Sequence, residues 1–377
     1  MKLKFLKLFL IFCIIAPSIS GCFNYNEIRD YANVAGIAID KGEEGKKYKL
    51  TMEVIVFGSA FEFKIEVFII ESEGDTIFEA IRNSISVANK KLYLGHCKVI
   101  IISEDVAKED ISGLLDIFLR DHEFRLTLIV LIAKGEKANK MLIKTTIPSQ
   151  IASYEMEKLV QNDKKHGANA EYKLLYQIES DILSEGIELT VPTIELVELE
   201  DRKSFKIAGI ACFKDEKLHD FIDQSLVKYY LILTNNYEGG LLKVQFDSDI
   251  YLGFEVKKLK TSFKFQVQEN KIIINAKIDV NTIIGENTMI PKKNLITEAK
   301  AINKFSESLK EELEKEFKRV QTEIGLDIYG FEKRFREDYY RQWQTYKKDN
   351  QDFIKNVSLN VEVKVKIMSS GLIGPGD

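Results

Sequence analysis

The last strand-like run of the chain constrains its architecture more than any other segment. Val357, Leu359, Val361, Val363, Val365 and Ile367 alternate with Ser358, Asn360, Glu362, Lys364 and Lys366. Successive side chains on an extended strand point to opposite faces, so this period of two requires a sheet with one buried and one wet face. Ile272, Ile274, Ala276, Ile278 and Val280 repeat the pattern. Between the two runs, Ile302, Phe305, Leu309, Leu313, Phe317, Val320 and Ile324 recur every three or four residues, the apolar stripe of a helix that covers the sheet. Phe331, Phe335, Tyr339 and Trp343 follow at four-residue spacing and predict a second helix. Clean alternation belongs to antiparallel sheets. The expected class is α+β, with three domains of mixed, largely antiparallel sheets and helices packed on one face.

Upstream, strand-like and helix-like segments alternate over residues 33–200. Strands at 34–39 and 49–57 flank a polar turn and read as a hairpin, and a third strand covers about 64–72. A helix near 76–88 opens with the capping pair Thr76 and Glu79. Strands at 98–102 and 126–133 bracket a helix at 111–120, and further helices are predicted near 149–160 and 172–183. The polar stretch at 200–203 reads as a boundary. The resulting division is 1–21 as a signal peptide, 22–200 as an N-terminal domain, 201–250 as a middle domain and 251–377 as a C-terminal domain. In the middle domain, a strand at 205–213 and a turn at 214–217 lead into a helix near 221–233.

The first residues predict export. Lys2, Lys4 and Lys7 precede an apolar run from Leu8 to Ala16, and Ile19-Ser20-Gly21-Cys22 follows. A cationic head, a short apolar core and small residues before a cysteine mark a lipoprotein signal. Cleavage before Cys22 would leave S-diacylglycerol on that cysteine, with an N-acyl chain also expected. Two chains anchor stably where one does not, at about 0.8 kcal/mol per buried methylene. The formal charge is −4, and it grows more negative once three lysines leave with the signal. That balance excludes nucleic acid as a partner and argues against lying flat on anionic lipid. Two cysteines remain in the mature body, Cys97 and Cys212. They could pair, although a buried free thiol is the commoner fate in such apolar runs.

A search for chemistry yields no catalytic residue, no metal site and no cofactor motif. His96, His122, His166 and His219 are scattered, without ligand spacing. Nucleophile-elbow and phosphate-loop patterns are absent. The one dense polar cluster is Arg120, Asp121, His122, Glu123 and Arg125. It reads either as a site or as a helix terminus whose charges pair with one another, and the second is favoured because ion-pair networks mimic active sites. Likewise the aromatic stripe ending at Trp343 reads as packing or interface before ligand cage.

Taken in order, these segments resemble the Ger(x)C family, the lipoprotein C subunits of spore germinant receptors. The resemblance rests on Gly21-Cys22, Asn26-Glu27-Ile28, Gly36-Ile37-Ala38-Ile39-Asp40 and Glu73-Gly74-Asp75-Thr76. It continues through Leu94-Gly95-His96-Cys97, the stretch Leu115 to Arg125, Ala208-Gly209-Ile210-Ala211-Cys212-Phe213, and Gln321 to Phe331. Trp343, the last alternating strand and Gly371 fit the ending. Phe23 stands where the family often has tryptophan, and Asp75 splits its glycine-threonine pair. The resemblance implies a lipid-anchored, non-enzymatic receptor subunit on the outer face of the inner spore membrane, working with two integral-membrane subunits. It carries over no catalytic residues and leaves contact with a small-molecule germinant open. The competing reading is an extracytoplasmic solute-binding lipoprotein of a transporter, whose parallel strands would be continuously apolar.

Overall fold

The computed structural model describes residues 31–57, 65–88, 90–142, 151–199, 202–247, 250–268, 271–287, 297–349 and 352–369, with scattered positions between 4 and 11. The stretch 19–22 and Gly371 lie outside the described residues. Among those described, no helix is long and apolar enough to cross a membrane.

Strands β1 (Tyr31–Lys41) and β2 (Tyr48–Phe57) form a hairpin, and β3 (Ile65–Gly74) pairs antiparallel with β2. Helix α1 (Ile77–Ala88) starts as its capping pair predicts, with the Glu79 amide donating to Thr76 Oγ1 at 3.0 Å. The Glu79 carboxylate accepts from the Asp75 amide at 2.8 Å, one residue earlier than a strict capping box. The chain continues through β4 (Lys91–Tyr93), β5 (Val99–Ser103), the single turn α2 (Glu104–Ala107), α3 (Ile111–Arg120) and β6 (Ile129–Ala133). Helices α4 (Ala152–His166) and α5 (Leu175–Ile182) precede β7 (Thr190–Leu199), β8 (Arg202–Lys214) and β9 (Lys217–Asp223).

Among the described residues these nine strands make one sheet, in the order β3-β2-β1-β5-β6-β7-β8-β9 with β4 also on β1. Its centre is parallel, from β1 through β5 and β6 to β7. Helices lie on both faces. Helices α1, α3 and α5 cover Ile37, Ile39, Ile100 and Ile102, while α4 packs on Ala38, Val99 and Ile101 from behind. The α+β expectation of mixed sheets with helices holds, but in this half parallel pairs are as many as antiparallel ones and the helices cover both faces rather than one. Parallel neighbours need crossovers, crossovers put helices on both faces, and β5 and β6 are consequently buried along their whole length.

Residues 201–250 carry no sheet of their own. Strands β8 and β9 extend the first sheet, and the polar stretch near 200 links two paired strands, β7 and β8. Helix α6 (Gln224–Thr234) then crosses to the second sheet, which β10 (Gly240–Asp247) opens. That sheet runs β10-β11-β12-β13, with β11 (Ile250–Gln268), β12 (Lys271–Asn287) and β13 (Val357–Ser369). Its alternation is as the sequence predicts, with Val357, Leu359 and Val361 buried and their neighbours exposed. The direction is not: β13 lies parallel to β12, with Val357 opposite Ile272. Helices α7 (Glu298–Arg319), α8 (Phe331–Asp338) and α9 (Tyr340–Asp349) return the chain to the starting edge before β13 begins. Alternation reports how many faces are buried, not which way a strand points.

Helix α7 lays Ala301, Phe305, Leu309, Leu313 and Phe317 against this sheet, and Phe305 meets Phe254 edge-on at 4.5 Å. A π-turn from Val320 to Ile324 ends it at Gly325, in the left-handed conformation. The single aromatic helix expected at 331–343 is two helices, broken where Tyr339 leaves helical geometry (φ −132°, ψ 45°). Cys97 and Cys212 are both free and buried. Burial pushes the Cys97 thiol up to about 12 and moves Cys212 the same way.

Candidate functional site

The polar cluster is the C-terminal turn of α3. Phe124 turns inward against Phe118 at 4.8 Å, and its polar neighbours turn outward. Arg120 pairs with Asp116 one turn back at 2.7 Å. Asp121 accepts from the Glu123 amide at 2.9 Å, His122 is 95 % exposed, and Arg125 is exposed beside it. Phe331 and Phe335 are fully buried, so the aromatic stripe is core down to its last member. Trp343, half-buried on α9, stacks on Tyr340 and places its indole nitrogen 3.3 Å from Glu332. The structure does not bring the α3 turn and Trp343 together as one site.

It assembles instead a group that sequence reasoning missed. A cleft of about 540 Å³ opens where the two sheets meet, between α5, α6 and the start of α8. Lys173 lies at its base in the loop between α4 and α5, buried with Glu171. Its ammonium sits 2.6 Å from Asp181 and 3.3 Å from Glu171, and donates to Thr190 Oγ1 at 2.9 Å. Glu171 also accepts from Tyr230 at 2.8 Å and from Thr190 at 2.8 Å. Thr190 begins β7 and Tyr230 is on α6, so the network ties the first sheet to the helix that leads into the second.

Burial alone would pull Lys173 down, but the two carboxylates beside it win and hold it above its ordinary range. Burial, and then Glu171, push the Tyr230 phenol well up. The group is therefore a charged lysine between carboxylates with a neutral phenol. Its donors meet acceptors within the group, so it fixes geometry. Among the described residues no three His, Cys, Asp or Glu cluster to hold a metal ion.

A second joint lies below the cleft. The Lys333 amide donates to the Gly186 carbonyl at 2.9 Å, and the Glu188 amide to the Asp327 carbonyl at 3.1 Å. Arg336 pairs with Glu185 at 2.7 Å. Gly186 has φ +82°, and a Cβ there would stand 2.8 Å from the Lys333 amide, so only glycine fits. Asp327 is buried, accepts from the Glu332 amide at 2.7 Å and leaves Oδ1 without a partner. Burial pushes its carboxyl up to about 7.

Two further buried carboxylates pin segments to the first sheet. Glu53 of β2 accepts the Ala152 and Ser153 amides at the start of α4, at 2.7 and 2.8 Å. Asp40 of β1 accepts from Ala138 and Asn139 at 2.8 Å. Burial raises both carboxyls. Such pairs span about a hundred residues, and nothing in local spacing announces them.

Comparison with known proteins agrees with this architecture. Residues 24–196 match the family described as "Spore germination protein N-terminal domain", and residues 208–371 match "Spore germination B3/ GerAC like, C-terminal". Spore germination protein B3 of Bacillus subtilis (strain 168) is 22 % identical, over 95 % of this chain and 96 % of its own. Spore germination protein KC of the same organism is 22 % identical over 93 % and 92 %. The crystal structure of the GerBC protein superposes with a TM-score of 0.55 at 18 % identity, covering 88 % of this chain and 97 % of that one, and so shares the fold. The chain belongs to the GerAC-like family of spore germination proteins.

Proposed function

We propose that this chain is the lipid-anchored, non-enzymatic C subunit of a nutrient germinant receptor, held at the outer face of the inner spore membrane through Cys22. It assembles there with two integral-membrane subunits. The observation that carries this reading is the match to spore germination families along both halves, 24–196 and 208–371. The same match speaks against a transporter's solute-binding lipoprotein, because the relatives covered over nine-tenths of both lengths are spore germination proteins. Arg120, Asp121, His122, Glu123, Arg125 and Trp343 serve contacts outside the chain in this reading, and the Lys173 network keeps the two sheets in one arrangement.

Spores lacking the gene should stop responding to one class of nutrient yet still germinate with exogenous calcium dipicolinate. A gene encoding Cys22→Ala should fail to restore the response, and the partner subunits should fall in abundance. Normal germination to every nutrient, with paralogues also removed, would overturn the proposal.

A further inference from the structure

The first sheet has two unlike ends. Strands β1, β5 and β6 are parallel, so their starts share one edge. Lys91 lies beside Tyr31 there, Ile65 beside Phe57, and α1 runs back along β3 to end at the same corner. This corner is apolar where water should meet it. Ile65 is 47 % exposed, Phe68 48 % and Val87 62 %.

Strand β3 is the outermost strand of its sheet, and its first half reads Ile65-Glu66-Val67-Phe68-Ile69-Ile70. Edge strands are ordinarily guarded by charge, and large apolar side chains exposed along one mark a contact surface. Glu66 is the one charged side chain in that half, against Glu71 and Glu73 in the other. Lys91 places its ammonium 5.5 Å over the Tyr31 ring, and Tyr31 meets Tyr93 edge-on at 5.7 Å. Cationic and aromatic side chains beside aliphatic ones suit the boundary between headgroups and acyl chains. The opposite edge carries acidic side chains, Glu43 and Glu44 after β1 and Asp105, Glu109 and Asp110 after β5, with Lys41, Lys108 and Lys137 paired to three of them.

The chain outside the described residues points the same way. Tyr31 follows Cys22 by nine residues, a reach of at most roughly 30 Å when fully extended. We propose that the corner formed by the start of β3, the end of α1 and β4 rests in the headgroup layer of the membrane leaflet. Its apolar side chains reach the acyl boundary while its lysines meet lipid phosphates. This rests on lipid attachment at Cys22. The α3 turn shares this edge, which brings Arg125 to the membrane surface, where integral-membrane partners emerge.

The test places an environment-sensitive dye at Val87→Cys, and at Asp105→Cys on the acidic edge as control. The buried thiols of Cys97 and Cys212 do not compete for the label. Two forms of the mature chain are bound to phosphatidylglycerol–phosphatidylethanolamine vesicles. One is the natural lipidated form. The other carries Cys22→Ser and an N-terminal histidine tag held by nickel-chelating lipid. The dye at position 87 should shift to the blue and lose quenching by aqueous iodide, whereas the dye at 105 should do neither. Vesicle binding only by the tagged form, with the shift present, would remove the Cys22 anchor and leave the corner's lipid contact standing. Binding by both forms with position 87 still open to iodide would overturn the lipid contact and leave the anchor. A shift without vesicles would assign the corner to a second copy, and a shift only with membrane subunits present would assign it to protein. Either result overturns the proposal.

Discussion

Replacing Lys173 with methionine removes the positive charge between Glu171 and Asp181 while keeping most of the side-chain volume. The separations are 2.6 Å to Asp181 and 3.3 Å to Glu171, with all three groups largely buried. At an effective dielectric constant of about 20, these pairs attract by about 6 and about 5 kcal/mol. Desolvation offsets much of that attraction in the parent protein. Removing one partner, however, leaves carboxylates buried without their cation, at a net cost of about 3–5 kcal/mol. The assay is urea unfolding of the mature chain at neutral pH. Lys206→Met is the control, because Lys206 meets Glu195 at 3.2 Å on an exposed face and such pairs contribute under about 1 kcal/mol. Equal losses in the two variants would refute the reasoning.

Asp327 gives a pH dependence. Its folded carboxyl is held at about 7 against an ordinary value of 3.8, so the stability it contributes is present below the lower value and lost as pH rises through the higher one. Asp327→Asn should gain on the parent as pH rises from 5 to 8, read from urea midpoints; an equal midpoint difference at both pH values would count against a buried titrating joint. In the second sheet, Val361→Asp sets an unpaired charge on the buried face and should cost about 3 kcal/mol or more. Lys364→Asp, on the exposed face, should change stability by about 0.5 kcal/mol or less, and comparable unfolding midpoints for the two variants would contradict the facing.

Much of the fold was legible because it depends on local order. The β13 pattern, the α7 stripe and the α1 cap each depend on neighbours a few residues away, and each is found where the residues place it. The break at Tyr339 was not legible. Four-residue aromatic spacing continues unbroken through it, and the kink answers to Phe265 and Phe335 packed around the Tyr339 ring. The Lys173 network was equally silent. Its members lie at 171, 173, 181, 190 and 230, with no shared period, and their pairing exists only once α6 folds back beside β7.

What the sequence determined by itself is the kind and buried side of its most periodic elements and the family, since periodicity, capping and ordered motifs are written in adjacent residues. Tertiary structure alone decided strand direction, the parallel centre of the first sheet and the placing of buried charge. Those follow from contacts between segments as much as a hundred residues apart. Glu53 reaching the start of α4 shows why: a carboxylate on a strand becomes a helix cap only when the fold carries that helix to it.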